Sequence, residues 1–331
     1  MRHGMLSALL LSLSLVVFSP LAASLEMSSA SARQWLSEPQ IQDKVSGLYR
    51  LAQQDKLDAL QFALQRLAMP QQEVARFLLL QKMEQQRLIL TPAMAKFVET
   101  QRAIRPTYQV FERGDSYEFT VPAFNFPAIA SRLLKQWQQD EATLAFVLQA
   151  EQHELVLEHW LTGSEQQILI KEQLLLSQLP RLSSSAVAAL TQQLTETGVT
   201  RWLPSNRIMV ALASVSRDPE MYKLLWLMRA DHNSEQEVRR LAEVGDDFAL
   251  EQLMKAVANP SLKAQALSEL VAIKPMSQPV KDFLLTRMAS YEDASLVANE
   301  LASQGYRSWL KELLQHDGEI KTHAIVNALS Q

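Results

Sequence analysis

His153 and His159 bracket two carboxylates in the run His-Glu-Leu-Val-Leu-Glu-His. A pair of imidazoles with a neighbouring glutamate can hold zinc on a helix and activate water there. That chemistry needs the imidazoles four residues apart on one face. Here they are six apart, which rotates them by about 120° around a helix axis. Leu157 stands where the second ligand belongs, and Leu155 blocks the reversed order. The spacing therefore predicts a helix whose apolar stripe is Leu155, Val156 and Trp160, not a metal site. His316, Asp317, Glu319 and His323 are a second set of potential ligands, but Asp317-Gly318 reads as a turn that spreads them. His232 stands in the turn Asp231-His-Asn233, and Arg113-Gly114-Asp115 reads as the tip of a hairpin.

Ser308-Trp-Leu-Lys311 has the Ser-x-x-Lys spacing in which a lysine one turn away activates a serine. Penicillin-binding proteins use that spacing together with Lys-Thr-Gly and Ser-x-Asn. In this chain Lys321-Thr322 is followed by His323, and no Ser-x-Asn exists. The chain has no glycine-rich phosphate loop, no Gly-x-Ser-x-Gly elbow and no carboxylate-dense calcium loop. It has no cysteine, which removes disulfides, thiolate metal sites and cysteine nucleophiles together. The expectation is no catalytic residue, no cofactor and no metal.

The elements that would carry any other function are helical. Only 8 glycines occur in 331 residues, and apolar residues return at three- and four-residue spacing through most of the chain. The chain opens with Met-Arg-His-Gly, an apolar run from Met5 to Phe18, and small residues at Ala22-Ala23-Ser24. This order predicts a signal peptide over 1–24, cleaved after Ala23 or Ser24. With no cysteine at the site, a lipid-anchored form is not expected. Residues 25–104 are expected to form helices, with Pro70 and Pro92 in first turns and Thr91 as a cap.

Residues 105–126 break the pattern. Thr107–Glu112 and Ser116–Val121 are rich in aromatic and β-branched residues and predict one β-hairpin. Phe124, Phe126, Trp137 and Tyr117 are placed either to pack that hairpin onto the helices or to line a small-ligand pocket beneath it. Residues 127–183 are helical again, with degenerate repeats as one reading of them.

From Ser184 to the end, a weak period emerges. Leu212, Leu241, Leu270, Leu301 and Leu329 recur at separations of 29, 29, 31 and 28. Turn residues between them divide 184–331 into five helix pairs: 184–197 with 206–214, 219–230 with 234–243, 247–258 with 261–272, 278–289 with 293–303, and 306–315 with 319–329. Asp218-Pro219 and Asn259-Pro260 each combine a capping side chain with a first-turn proline. Leu241-Ala-Glu-Val-Gly and Leu301-Ala-Ser-Gln-Gly repeat local wording. On these residues the region resembles the short HEAT-like repeats of α-solenoids. The resemblance implies a right-handed stack of helical hairpins and protein-binding surfaces, with no catalytic residue.

Aligned on the leucines, the second helices carry a polar row. Two residues before the leucine stand Arg239, Ser268, Asn299 and Asn327. One residue before it stand Arg240, Glu269, Glu300 and Ala328. This row, less Ala328, is the expected partner-binding face. Formal charge is −4, and both signs are spread along the chain, which leaves no basic footprint for nucleic acid. No apolar stretch after the signal is long enough to cross a bilayer. The expectation is a periplasmic or secreted scaffold or adaptor for another envelope protein. The alternative is an enzyme, or an accessory subunit of one, with a site between the hairpin and the acidic segment 151–172, around Glu154, Glu158 and His159.

Overall fold

The computed structural model describes residues 25–113, 118–196, 202–316 and 321–330. The expected signal peptide and the Gly114-Asp115 turn lie outside the described residues, as do Asp317, Gly318 and Glu319. The chain is mainly α, with eighteen α-helices and one three-stranded sheet among the described residues. It forms two compact units that divide between Glu141 and Ala142. No described helix is long and apolar enough to cross a membrane.

The first unit contains α1 (Ser29–Ser37), α2 (Pro39–Gln53), α3 (Leu57–Gln65), α4 (Gln71–Gln85), α5 (Pro92–Ala103) and the first part of α6 (Phe126–Glu151). The local signals for these helices are met in the expected way at α5. Thr91 Oγ1 accepts from the Met94 N–H at 3.0 Å, and Pro92 occupies the first helical turn, where its missing N–H costs nothing. Pro70 stands one position earlier than expected, as the cap of α4 and not inside its first turn.

The hairpin is present as β2 (Tyr108–Arg113) and β3 (Glu118–Pro122), with Val110 opposite Val121. A third strand, β1 (Leu25–Glu26), not expected from the sequence, runs parallel to β2 and pairs Leu25 with Tyr108. Two residues are too short to show alternation, so no sequence signal marks it. The sheet is tied down by Glu73 on α4. That carboxylate is 1% exposed and accepts from the Thr107 N–H at 2.5 Å and the Tyr108 N–H at 3.3 Å. Phe124 and Phe126 are fully buried in the core of this unit, and the Phe77 and Phe124 rings lie 6.4 Å apart. They are packing residues, not the walls of a pocket.

The second unit follows with α7 (Leu157–Trp160), α8 (Glu165–Gln178) and ten helices: α9 (Ser184–Thr195), α10 (Asn206–Ser216), α11 (Pro219–Leu227), α12 (His232–Val244), α13 (Asp247–Ala256), α14 (Lys263–Ala272), α15 (Gln278–Ala289), α16 (Ala294–Ser303), α17 (Arg307–His316) and α18 (Thr322–Ser330). Each lies within a few residues of a helix read from the turns. Two files of helices result. The second members pack in sequence, α10 on α12, α12 on α14, α14 on α16 and α16 on α18. The first members do the same from α9 to α11 to α13 to α15.

Leu212, Leu241, Leu270 and Leu301 are at most 1% exposed and sit in one continuous core. Leu329 does not complete the ladder. The buried positions of α16 are Val297, Ala298 and Leu301, and those of α18 are Ala324, Ile325 and Ala328. The matching spacing makes Ala328 the equivalent of Leu301, so the leucine alignment slips by one residue in the last helix. The repeated Leu-x-x-x-Gly wording is helix-end chemistry. Gly245 and Gly305 have φ of 61° and 91°, a left-handed region that stops α12 and the α16 turn without the strain a side chain would bring. Asn259-Pro260 behaves differently from Asp218-Pro219. Asp218 caps α11 through the Glu220 N–H at 2.7 Å. Asn259 Oδ1 likewise accepts from the Ser261 N–H at 3.0 Å, but its Nδ2 also donates to the Trp226 and Met228 carbonyls, each at 3.0 Å, and α14 starts only at Lys263. Its side chain closes the end of a helix some thirty residues back and also opens the turn that leads into the next one.

Candidate functional site

The expected polar row lies on the second helices. Arg239, Asn299 and Asn327 are exposed, while Ser268, Glu269, Glu300 and Arg240 are half-buried. The structure brings some of these together. Ser268 Oγ donates to Glu300 Oε2 at 3.1 Å, which links α14 to α16. Asn327 Nδ2 lies 3.3 Å from His323 Nδ1 within α18. The slip in α18 places Asn327 level with Glu300 and Glu269, and puts the exposed Val326 level with Asn299 and Ser268. The row is therefore less uniform than the leucine alignment implied.

Arg240 is the member most tightly held. Its Nε donates to Glu237 Oε2 at 2.7 Å and its Nη2 to Glu237 Oε1 at 2.6 Å, and Nη2 also reaches the Tyr222 hydroxyl at 3.0 Å. Tyr222 in turn donates to Glu237 Oε1 at 2.6 Å. Tyr222 is fully buried, between the rings of Trp226 and Phe248 at 5.8 Å and 5.7 Å. Burial first, and then the Glu237 charge, push its hydroxyl above the ordinary tyrosine value. The hydrogen bonds to Glu237 hold the Arg240 guanidinium in its charged form. Tyr222 thus stays protonated, and both Glu237 oxygens are engaged. This cluster is a clamp between α11 and α12, with no free base for proton transfer.

The opposite file of helices carries a different surface. A groove of about 540 Å³ crosses α11, α13 and α15. Trp226, Leu227, Met254 and Phe283 line it, with Lys223, Lys255 and Arg287 at its edges and Glu220 and Glu251 beside the lysines. Leu227 is 78% exposed. The α11 stripe explains this: Met221, Tyr222, Leu225 and Trp226 are buried, and Leu227 falls just outside them, at the last position of the helix. Trp226 is nearly buried, yet its indole N–H finds no acceptor. Lys223 pairs with Glu220 at 2.9 Å and Lys255 with Glu251 at 2.7 Å, both across exposed turns. Trp226, Leu227, Met254 and Phe283 are not among the residues that the sequence marks as a partner-binding face. The available signal was Leu227, a leucine one step off a four-residue stripe.

A larger cavity, about 730 Å³, lies in the first unit between the end of α4 and α6. Two of its charges satisfy each other: Arg132 donates to both Glu84 oxygens, at 2.6 Å and 2.9 Å, and that pairing pulls the Glu84 carboxyl below its usual value.

The His153–His159 run is not one helix. α6 ends at Glu151, His153 takes a left-handed φ of 60°, and the Glu154 N–H returns to the Gln149 carbonyl at 2.8 Å. The short α7 begins only at Leu157. Leu155 and Leu157 are buried and Val156 is 47% exposed, so the expected stripe of Leu155, Val156 and Trp160 is replaced by a turn that buries alternate residues. His153, Glu154, Glu158 and His159 are all exposed. Among the described residues no group of three or more histidines, aspartates and glutamates is arranged to hold a metal.

Compared with known proteins, the chain matches no family model, no curated protein and no solved structure.

Proposed function

We propose that the protein is an exported, periplasmic α-solenoid of HEAT-like hairpins that binds another envelope protein and works as a scaffold or adaptor. The observation that carries this reading is a set of links in the second unit, each spanning about thirty residues. Arg217 reaches Asp246 across 29 residues, Lys263 reaches Glu292 across 29, Gln265 reaches the Glu235 carbonyl across 30, and Ser268 reaches Glu300 across 32. Such nearest-neighbour contacts, added to the two files of helices, are what a stacked-repeat architecture requires. A stack of this kind presents long helical surfaces, and long surfaces suit binding better than catalysis.

The contact surface lies on the second unit. One face is the row of Arg239, Ser268, Glu269, Asn299 and Glu300, and the other is the groove on the first helices. The reading is tested by a photo-reactive residue placed singly at Asn299 and at Leu227 in the exported protein. One discrete adduct in the native periplasm is the expected result. Fractionation in which the protein stays with the cytosol, or uniform lack of adducts at both positions, sinks the scaffold reading.

A further inference from the structure

We infer that the groove across α11, α13 and α15 is a docking site for a short apolar segment of a partner protein flanked by carboxylates. This rests on the scaffold reading and names the face and the chemistry of the partner.

Three observations lead there. The first is apolar exposure where a free surface gains nothing from it. Leu227 is 78% exposed and stands beside Trp226, Met254 and Phe283 in a groove of about 540 Å³. A contiguous patch of large apolar side chains with a polar rim marks an interaction surface, and aromatic and methionine side chains are the anchors such surfaces use. The volume accommodates a few side chains, which fits a segment and not a folded domain.

The second is the Trp226 indole N–H. Trp226 is 5% exposed and lines the groove, yet its N–H has no acceptor. A buried donor without a partner carries a desolvation cost that a bonded one does not. A peptide carbonyl seated along the groove supplies the missing acceptor once the neighbouring side chains part.

The third is charge. Lys223, Lys255 and Arg287 line the groove against two carboxylates, Glu220 and Glu251. The two lysine pairs are solvent-exposed pairs within single helices. Pairs of that kind contribute little and exchange partners readily. Arg287 contacts the buried Asp293 at 3.3 Å, and Asp293 is already held by Lys263 at 3.0 Å. Both arginine and lysines therefore keep donors to spare for incoming carboxylates. The lining holds three cations against two carboxylates, so an acidic flank meets the rim's excess charge.

The test uses the full mature chain and a library of random peptides displayed on phage. The expected consensus is a pair of large apolar residues with Asp or Glu on at least one side. Leu227→Glu should weaken the selected peptides by about tenfold or more, as loss of a central anchor does. Peptide binding should shift the Trp226 indole N–H resonance, identified by its loss in Trp226→Phe. The Lys223→Glu, Lys255→Glu double variant should turn the consensus basic. Native-like circular dichroism of each variant separates these effects from unfolding. Peptides that survive Leu227→Glu but are lost in Arg239→Glu overturn the groove and leave the scaffold reading standing. A library that yields no enriched sequence also overturns the groove, while periplasmic adducts at Asn299 would still support a scaffold. A consensus that ignores the lysine reversal overturns the stated chemistry.

Discussion

The two units use polar contacts in opposite ways. In the first, each is made once. Glu73 anchors the sheet through the Thr107 and Tyr108 amides, and Arg132 ties α6 to Glu84 on α4. In the second, several links span about thirty residues between neighbouring helices: Arg217 to Asp246, Lys263 to Glu292 and Asp293, Gln265 to the Glu235 carbonyl, and Ser268 to Glu300. A structure built from single contacts stands or falls at each of them. A file in which α12, α14 and α16 each pack on a helix to either side spreads a loss over neighbours.

Removing a core side chain from the middle of the recurring set is the strongest way to strain that contrast. Leu270 is fully buried in the core of the second unit. Leu270→Ala should cost about 2–5 kcal/mol from lost burial and the cavity left behind. Hydrogen exchange should show the loss spread through α12, α14 and α16, with amides of residues 29–103 still protected. Loss of protection confined to α14 would contradict the shared-load picture.

The opposite experiment removes a contact made once. Glu73→Ala leaves the Thr107 and Tyr108 N–H groups without their acceptor in a closed site, a loss of about 1–3 kcal/mol. The change should be local. Amides of β2 and β3 should exchange faster while α10 to α16 stay as they were. If protection of the sheet survives, the carboxylate is not what holds it.

The same difference decides what could be read from the chain. The ten helices from Ser184 onward were legible because turns, caps and an apolar period all point to the same boundaries. Leu241 and Leu301, each followed four residues later by a glycine, mark the same structural event twice. The period misled only where a small residue took over the buried place, at Ala328. In the first unit nothing repeats, so the Glu73 anchor and the two-residue strand β1 had no pattern to betray them. The His153 run misled for a related reason: a helical spacing rule was applied where His153 itself turns the chain. The row on the second helices rests on a repetition in the sequence, and the slip in α18 breaks that repetition at its last member. The groove was missed because it is assembled from residues at unequal positions, Leu227 at the end of α11, Met254 inside α13 and Phe283 inside α15, which only the stack brings to one place.

The smallest expected effect concerns a single recurring link and its dependence on pH. Asp246 caps α13 by accepting from the Ala249 N–H at 2.8 Å and pairs with Arg217 at 2.8 Å. The backbone bond first, and the arginine second, hold its carboxyl below the usual 3.8. A carboxylate lowered in this way stabilises the folded chain above its unfolded value, and that contribution is lost as pH falls through the lower, folded value. The link should therefore be intact at neutral pH and fail on acidification below 3.8. Asp246→Asn keeps a capping side chain, since asparagine caps as well as aspartate, but it removes the charge. Its thermal midpoint should lie slightly below that of the parent at neutral pH, and the gap should close in acid. Lys263 holds Glu292 and Asp293 at a separate place, between the starts of α14 and α16, and if neighbouring links share load the gap should widen when Lys263→Met is added. Simple additivity of the two changes would mean that the links act singly, as they do in the first unit, and would remove the distinction between the two halves of the molecule.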